Sequence, residues 1–407
     1  MIISQSKTAP IEKLQQNIAV RFSYDVHFTR GLWSLDNPLL SEVIAKDSNV
    51  AKSVIVVVDS GLLSHHPGLL RKIANYTNYY AENIKLAAEP IIVPGGEAAK
   101  NDPTLVDKIH SCIEQARLCR HSYVLAIGGG AVIDMAGYAA ATAHRGIRLI
   151  RIPTTVLAQN DSGVGVKNGI NALGKKNFLG TFAPPVAVLN DFDFLTTLDD
   201  RDWRSGIAEA VKVALIKDRS FFEFICDRAS DLAQRDSQAM EQLIYRCCQL
   251  HLNHIATYGD PFEMGSSRPL DFGHWAAHKL EHLSNYRLRH GEAVAIGMAL
   301  DCTYSYTIGL LAEADWKQII KTLKQLGFKL YDTELGRDLE DKNSKNSIFG
   351  GLVEFREHLG GDLAIMLLQN IGQGIEVNQV NISVYQQAIL MLQKLEAETV
   401  SLIKVTT

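Results

Sequence analysis

The 407-residue chain is predicted to be an α/β protein in two parts: a doubly wound parallel sheet over residues 1–203, then a mainly α-helical domain over residues 204–407. Short apolar, β-branched runs alternate with stretches of helical spacing as far as about residue 200. One of those runs ends in three consecutive glycines that open a helix. After FDFLTTLDDRDWRSG the periodicity lengthens to that of long helices, with no convincing further parallel strand.

The elements follow in order. IAVRFSYDVHF is a short strand candidate, followed by a polar segment. SVIVVVDSGL reads as a buried parallel strand, with Asp59 at its carboxyl end, where ligands sit in open α/β sheets. HPGLLRKIANYTNYY has helical spacing, and AEPIIVPGG is the next strand. GGEAAKNDPTLVDKIHSCIEQARL gives a turn and a long amphipathic helix. SYVLAIGGGAVIDMAGYAAATA is a strand, a glycine turn and a helix of small residues, and IRLIRIPTTVLAQND is a further strand. Beyond residue 203 the helices are interrupted only by a possible short hairpin around GGDLAIMLLQNIGQG.

Composition narrows the function classes. Hydrophobic residues make up 46% and charged residues 21%, as in a globular protein with a sizeable core. A formal net charge of -4 gives no electrostatic case for nucleic acid or an anionic membrane. No apolar run reaches the roughly 20 residues that span a bilayer, and MIISQSKTAP lacks the apolar core of a signal peptide. Six cysteines without CxxC pairs read as reduced thiols, so a cytoplasmic enzyme is expected.

Three stretches carry chemistry. Between Gly206 and Gly291 lie Glu209 in GIAEAVK, His274 and His278 in DFGHWAAHKLEH, and His290 in RHGEAVAIGM. His274 and His278 are four apart, so on a helix they share a face and can grip one metal ion. A carboxylate with imidazoles suits Zn²⁺ with open positions, although any one of these histidines could equally be an ordinary helix residue. At Gly128–Gly130 the lack of Cβ atoms lets a phosphate approach backbone N–H groups at a helix amino terminus. The turn departs from GxGxxG, and tight helix-on-strand packing would also explain it. In DSGVGVKNGINALGKKNFLGTF, Lys167, Lys175 and Lys176 stand among glycines and asparagines, which is good chemistry for a phosphate dianion but also describes a solvated basic loop.

Taken together, GGGAVIDMAG, HRGIRLIRIPTTVLAQNDSGVGVKNGIN, GIAEAVK, DFGHWAAHKLEH and HGEAVAIGM resemble the dehydroquinate synthase-like sugar phosphate cyclases, over roughly residues 50 to 375. The resemblance implies an NAD-binding α/β domain joined to a helical metal domain, with the active site between them. It implies NAD contacts at Asp59, Glu97, Lys100, Gly129, Gly130, Asp134, Thr154, Thr155 and Lys176. Zn²⁺ or Co²⁺ would be held by Glu209, His274 and His290. Arg145, Lys167 and Asn177 would form the substrate-phosphate pocket, while Asp161, Lys212 and His278 line the site. Arg145 can come from a neighbouring subunit in this family, so a homodimer is expected.

The departures bear on the substrate. Around the carboxylate of their substrate, dehydroquinate synthases use Lys, Arg, Asn and Lys. Here the first Lys position holds His254, Arg268 is retained, the Asn position holds Asp271, and the last Lys falls near Arg356. A second carboxylate would be repelled by Asp271, whereas a hydroxymethyl group can donate a hydrogen bond to it. This resembles the cyclases that convert sedoheptulose 7-phosphate to valiolone-type C7 cyclitols. Dehydroquinate synthesis is the alternative, should Asp271 pair with Arg268 or a lysine. A metal-dependent polyol dehydrogenase, or a non-catalytic nucleotide binder, is less compatible with Lys167, Asn177 and the metal set.

Overall fold

The computed structural model describes residues 13–46, 50–257, 269–341, 344–358 and 363–406. Nine strands organise the amino-terminal half: β1 (Asp25–Thr29), β2 (Lys52–Asp59), β3 (Ile84–Leu86), β4 (Ile91–Val93), β5 (Tyr123–Gly128), β6 (Arg148–Pro153), β7 (Lys167–Ala172), β8 (Lys175–Phe182) and β9 (Ala187–Asp191). Seven form one sheet in the order β1-β9-β6-β5-β2-β3, with β4 also on β2, and every pairing in it is parallel. The period-2 pleat sends alternate residues to opposite faces. Ile55, Val57, Val124 and Ala126 pack into one core cluster, while Val54, Val56, Val58, Leu125 and Ile127 pack into another. Burial on both faces is why these strands read as unbroken apolar runs.

Several local expectations need correction. IAVRFSYDVHF is extended into the sheet only over Asp25–Thr29. The long helix expected after GGE is two, Glu97–Asn101 and Thr104–Gln115, because Pro103 between them has no N–H to continue the first. Within DSGVGVKNGINALGKKNFLGTF, the part from Lys167 to Phe182 is not the solvated loop that is one reading of it: β7 and β8 form a separate antiparallel hairpin that leaves the sheet after β6. The chain then returns as β9, a strand absent from the sequence reading, which inserts between β1 and β6.

The carboxyl-terminal half is helical. Its main helices are the carboxylate helix Asp200–Lys217, the long helix Ser237–Thr257, the first histidine helix His274–Leu283, the second histidine helix His290–Thr307, and the C-terminal helix Ile382–Thr406. The expected hairpin is present, with Ile365–Asn370 antiparallel to Gln373–Val377. The second histidine helix is buried almost throughout, from Gly291 to Ser305 with Glu292 the exception, so no face of that stretch is given over to solvent and it forms the axis of this half. Trp203 belongs to the same helical core. No helix among the described residues is long and apolar enough to cross a membrane.

Candidate active site

The donor cluster is assembled from three helices. Asp199 caps the carboxylate helix by accepting Asp202 N–H at 2.7 Å, and Glu209 lies mid-helix at 0% exposure. Gly273, at φ 76, caps the first histidine helix, so that His274 is its first helical residue. His290 opens the next helix in the same way, where the Glu292 side chain accepts the Arg289 N–H at 2.9 Å. Glu209 Oε1 is 3.3 Å from His290 Nε2 and 3.6 Å from His274 Nε2. Two ligands about 2.1 Å from a tetrahedral ion are about 3.4 Å apart. Oε1 is moreover buried without a well-directed hydrogen bond. Glu209, His274 and His290 therefore fit a divalent ion with open positions.

His278 shares the face expected from its i+4 spacing, with its ring 5.4 Å from that of His274. It is exposed, and it groups with Glu281 and His290 rather than with Glu209. Glu281, which the sequence reading missed, lies 3.3 Å from His290 Nδ1 and 3.0 Å from Lys176 Nζ. It thereby orients the His290 ring so that Nε2 faces Glu209. The spacing i+3 from His278 and i+7 from His274 could have revealed it.

The electrostatics follow from burial and charge. Burial opposes charge on Glu209, but Lys212 against Oε2 and the two imidazoles outweigh it and hold the carboxyl well below its usual range. Lys212 is raised despite burial, because Glu209, Asp161 and Asp271 all face it. Burial and the Lys212 charge push His274 down to about 4. Burial alone would lower His290 too, but Glu209 and Glu281 carry it up to about 10. Glu281 is held at about 2, burial being overcome by His290 and Lys176. Asp161 is likewise lowered against its burial, by Lys212 and by His251, whose Nδ1 is 2.8 Å away. His251 is a second residue the sequence reading passed over, one turn before His254 on the long helix.

The residues expected at the cofactor lie along the carboxyl ends of the strands. Asp59 ends β2 and accepts Gly61 N–H at 2.8 Å. Gly129 caps the helix Gly130–Thr142, and a Cβ at Gly130 would meet Ser162 Oγ at 2.4 Å, so a side chain there would displace the serine hydroxyl. Lys100 Nζ and Asp134 Oδ2 form a largely buried pair at 2.7 Å. Thr154 and Thr155 follow β6, and Thr155 Oγ1 accepts Ala158 N–H at 3.1 Å. Glu97 accepts a hydrogen bond from Asn171 of the hairpin at 2.8 Å, and Lys176 reaches from the hairpin to Glu281. Lys167 opens β7 and Asn177 lies in β8 with φ 52. Arg145 is exposed at the opposite end of β6, outside this constellation. His254 is half-buried, Arg356 is exposed, Asp271 precedes the first histidine helix, and Arg268 lies outside the described residues.

Comparison with known proteins agrees with this architecture. Residues 90–205 match the family model of the 3-dehydroquinate synthase N-terminal domain, and residues 206–342 that of the C-terminal domain. A 3-dehydroquinate synthase of Jannaschia sp. (strain CCS1) is 33% identical over 352 residues, covering 86% of this chain and 90% of that protein. One of Citrifermentans bemidjiense is 41% identical over 256 residues, covering 61% of this chain and 70% of that one. The structure of 2-epi-5-epi-valiolone synthase from Streptomyces hygroscopicus subsp. jinggangensis 5008, with NAD+ and Zn2+ bound, superposes with a TM-score of 0.81 at 28% identity. That match covers 94% of this chain and 99% of that one. An α/β sheet domain, a helical domain carrying a carboxylate–histidine cluster, and these matches across most of its length make the chain a member of the 3-dehydroquinate synthase family.

Proposed function

We propose that this chain is an NAD- and metal-dependent sugar phosphate cyclase that eliminates phosphate from sedoheptulose 7-phosphate and closes a valiolone-type C7 cyclitol. When bound, NAD⁺ would take and return a hydride, and a divalent ion would polarise the substrate oxygens as a Lewis acid. Glu209, His274 and His290 hold the ion, as their tetrahedral spacing supports. Asp59, Glu97, Lys100, Gly129, Gly130, Asp134, Thr154 and Thr155 bind the dinucleotide along the strand ends. Lys176, tied to Glu281 and Glu97, borders both sites. Lys167 and Asn177 bind the substrate phosphate together with Arg145 of a second copy. Asp161 and Lys212 fix the charge around the reacting carbons, and His278, exposed beside the His274 and His290 rings, exchanges protons with substrate.

One observation carries the choice of substrate. Lys212 pairs with Glu209, and the carboxylates of Asp161 and Asp271 add to the negative charge acting on it. A substrate carboxylate beside Asp271 would add a further negative charge, unfavourable by about 1–4 kcal/mol at contact distance. A hydroxymethyl group would instead donate a hydrogen bond. The second reading, 3-dehydroquinate synthesis, is favoured by the identity of 33% to the Jannaschia enzyme. Purified protein with NAD⁺ and Zn²⁺ should release phosphate from sedoheptulose 7-phosphate without net NADH. Efficient turnover of the seven-carbon 2-keto-acid phosphate, with sedoheptulose 7-phosphate inert, would establish the second reading. Stoichiometric NADH would point to a polyol dehydrogenase.

A further inference from the structure

Asp301 lies in the second histidine helix, three turns beyond His290 and so on nearly the same helix face, at 0% exposure. Its carboxylate receives three hydrogen bonds. Oδ2 accepts the Gly273 N–H at 3.1 Å, and Oδ1 accepts the Trp275 indole N–H at 3.0 Å and the Tyr385 hydroxyl at 2.8 Å. Two of these donors belong to the residues on either side of His274. The third belongs to the C-terminal helix. The Gly273 and Trp275 N–H groups can only donate, and the Tyr385 hydroxyl donates its one proton to Oδ1, which matches a group offering two acceptor oxygens.

The turn it grips has little freedom. Gly273 holds a left-handed φ of 76, and a Cβ there would meet Met298 N at 2.7 Å. A Cβ at Gly297 would meet Gly273 O at 2.1 Å, so the two histidine helices touch backbone to backbone at this point. His274 Nδ1 lies 3.1 Å from Phe272 O, which turns Nε2 towards Glu209. The backbone orientation at His274 thus depends on the Gly273 turn and on the anchoring of Trp275, and Asp301 bonds to both. Among the described residues, burial and these three donors act on the Asp301 carboxyl, and burial drives it up to about 7. No cation among the described residues lies against this carboxylate, and a buried carboxylate without one is an expensive way to fill a helical core. Apolar packing alone would not select it.

We propose that Asp301 is a positioning residue for the metal centre, holding Gly273 and Trp275 so that His274 presents Nε2 at ligand distance from an ion shared with Glu209 and His290. The inference rests on the metal reading above. It adds a residue remote from substrate, and it ties the C-terminal helix to the site through Tyr385.

Asp301→Asn is the discriminating variant. Its remaining oxygen can still accept from Trp275 and Tyr385, while its NH₂ group is set against the Gly273 N–H. Zn²⁺ affinity is measured by chelator competition on the full chain, alongside NAD⁺ affinity, the melting temperature of the metal-free protein, and the visible spectrum of the Co²⁺-loaded protein. Asp301→Asn should weaken Zn²⁺ binding about 10- to 100-fold, as for residues that orient ligands elsewhere. It should also alter the Co²⁺ spectrum and leave NAD⁺ affinity unchanged. Unchanged Zn²⁺ affinity and Co²⁺ spectrum, with only a lower melting temperature, would overturn the proposal. Should Asp301→Asn fail to fold, Trp275→Phe takes its place: a several-fold loss of Zn²⁺ affinity supports the inference and no change overturns it. His274→Ala separates the two readings. Loss of Zn²⁺ by this variant upholds the metal centre whatever Asp301 does, and full retention removes the ligand that Asp301 would position, overturning both.

Discussion

His290 is held between two carboxylates, with Nε2 3.3 Å from Glu209 and Nδ1 3.3 Å from Glu281. In the metal-free protein this sandwich lifts its pKa from the ordinary 6.5 to about 10. The native state then binds the proton more tightly than the unfolded chain does. Its contribution to stability is complete below about pH 6.5 and is lost as the pH rises through about 10. A divalent ion needs the neutral imidazole, so binding must expel that proton, and metal affinity should climb with pH across the same window. Calorimetric titration of Zn²⁺ at pH 8 in two buffers of different ionisation enthalpy should report about one proton released. No release would mean that His290 is not a ligand. Glu209, His274 and His290 are legible in the sequence because each sits in a motif with its own glycine or carboxylate signature. Glu281 is only half legible: its spacing puts it on the face of His274 and His278, but its partners His290 and Lys176 lie on other elements. Asp301 is not legible at all, because only packing brings Gly273, Trp275 and Tyr385 to it.

The element least legible in the sequence is the hairpin β7–β8. Its glycines and lysines read as a loop because the pair is short and largely exposed, with Phe178, Leu179 and Phe182 turned to solvent. What fixes it is Arg151, hidden in the apolar run IRLIRIP at 0% exposure. Arg151 alternates onto the sheet face that also carries Leu149, and its guanidinium donates to Gly163 O, Gly165 O, Lys167 O and Asn168 Oδ1 at 2.6–3.1 Å. A strand position thus organises the whole approach to Lys167. Strand β9 escapes sequence reading for a different reason: five residues after Pro184 and Pro185 carry little pattern, and its partners β1 and β6 are remote in the chain. Arg151→Ala would leave four acceptors without their donor, at about 1–3 kcal/mol for each buried one. We expect a lower melting temperature together with loss of phosphate-dependent substrate affinity, measured by thermal unfolding and by KM for the sugar phosphate. A variant as stable and active as the wild type would show that the hairpin holds itself.

At the scale of the molecule, the strand ends gather Asp59, Gly129 and Thr154 on one edge of the sheet, facing the helical half. Lys176 joins the two sides by reaching Glu281 at 3.0 Å and Glu97 at 3.7 Å. Arg145 breaks this pattern. It lies three residues before β6, whereas Thr154 follows β6, so the strand's length of about 20 Å separates them. An exposed arginine there, at φ 64 in a turn beginning with His144 at φ 52, lies far from Thr154 and the strand ends of its own chain. The family resemblance implies that it can reach the phosphate of a neighbouring subunit, and a two-fold dimer would then give each cleft the other chain's Arg145. Complementation tests this directly. Arg145→Ala and Lys212→Ala homodimers should each be nearly inactive. A heterodimer of the two, co-expressed with different tags and isolated, contains one cleft with an intact Lys212 facing an intact Arg145. It should recover about half of the wild-type activity per dimer, as two-fold symmetry requires. An inactive heterodimer, or a fully active Arg145→Ala homodimer, would place Arg145 outside the phosphate site and remove the need for a second copy.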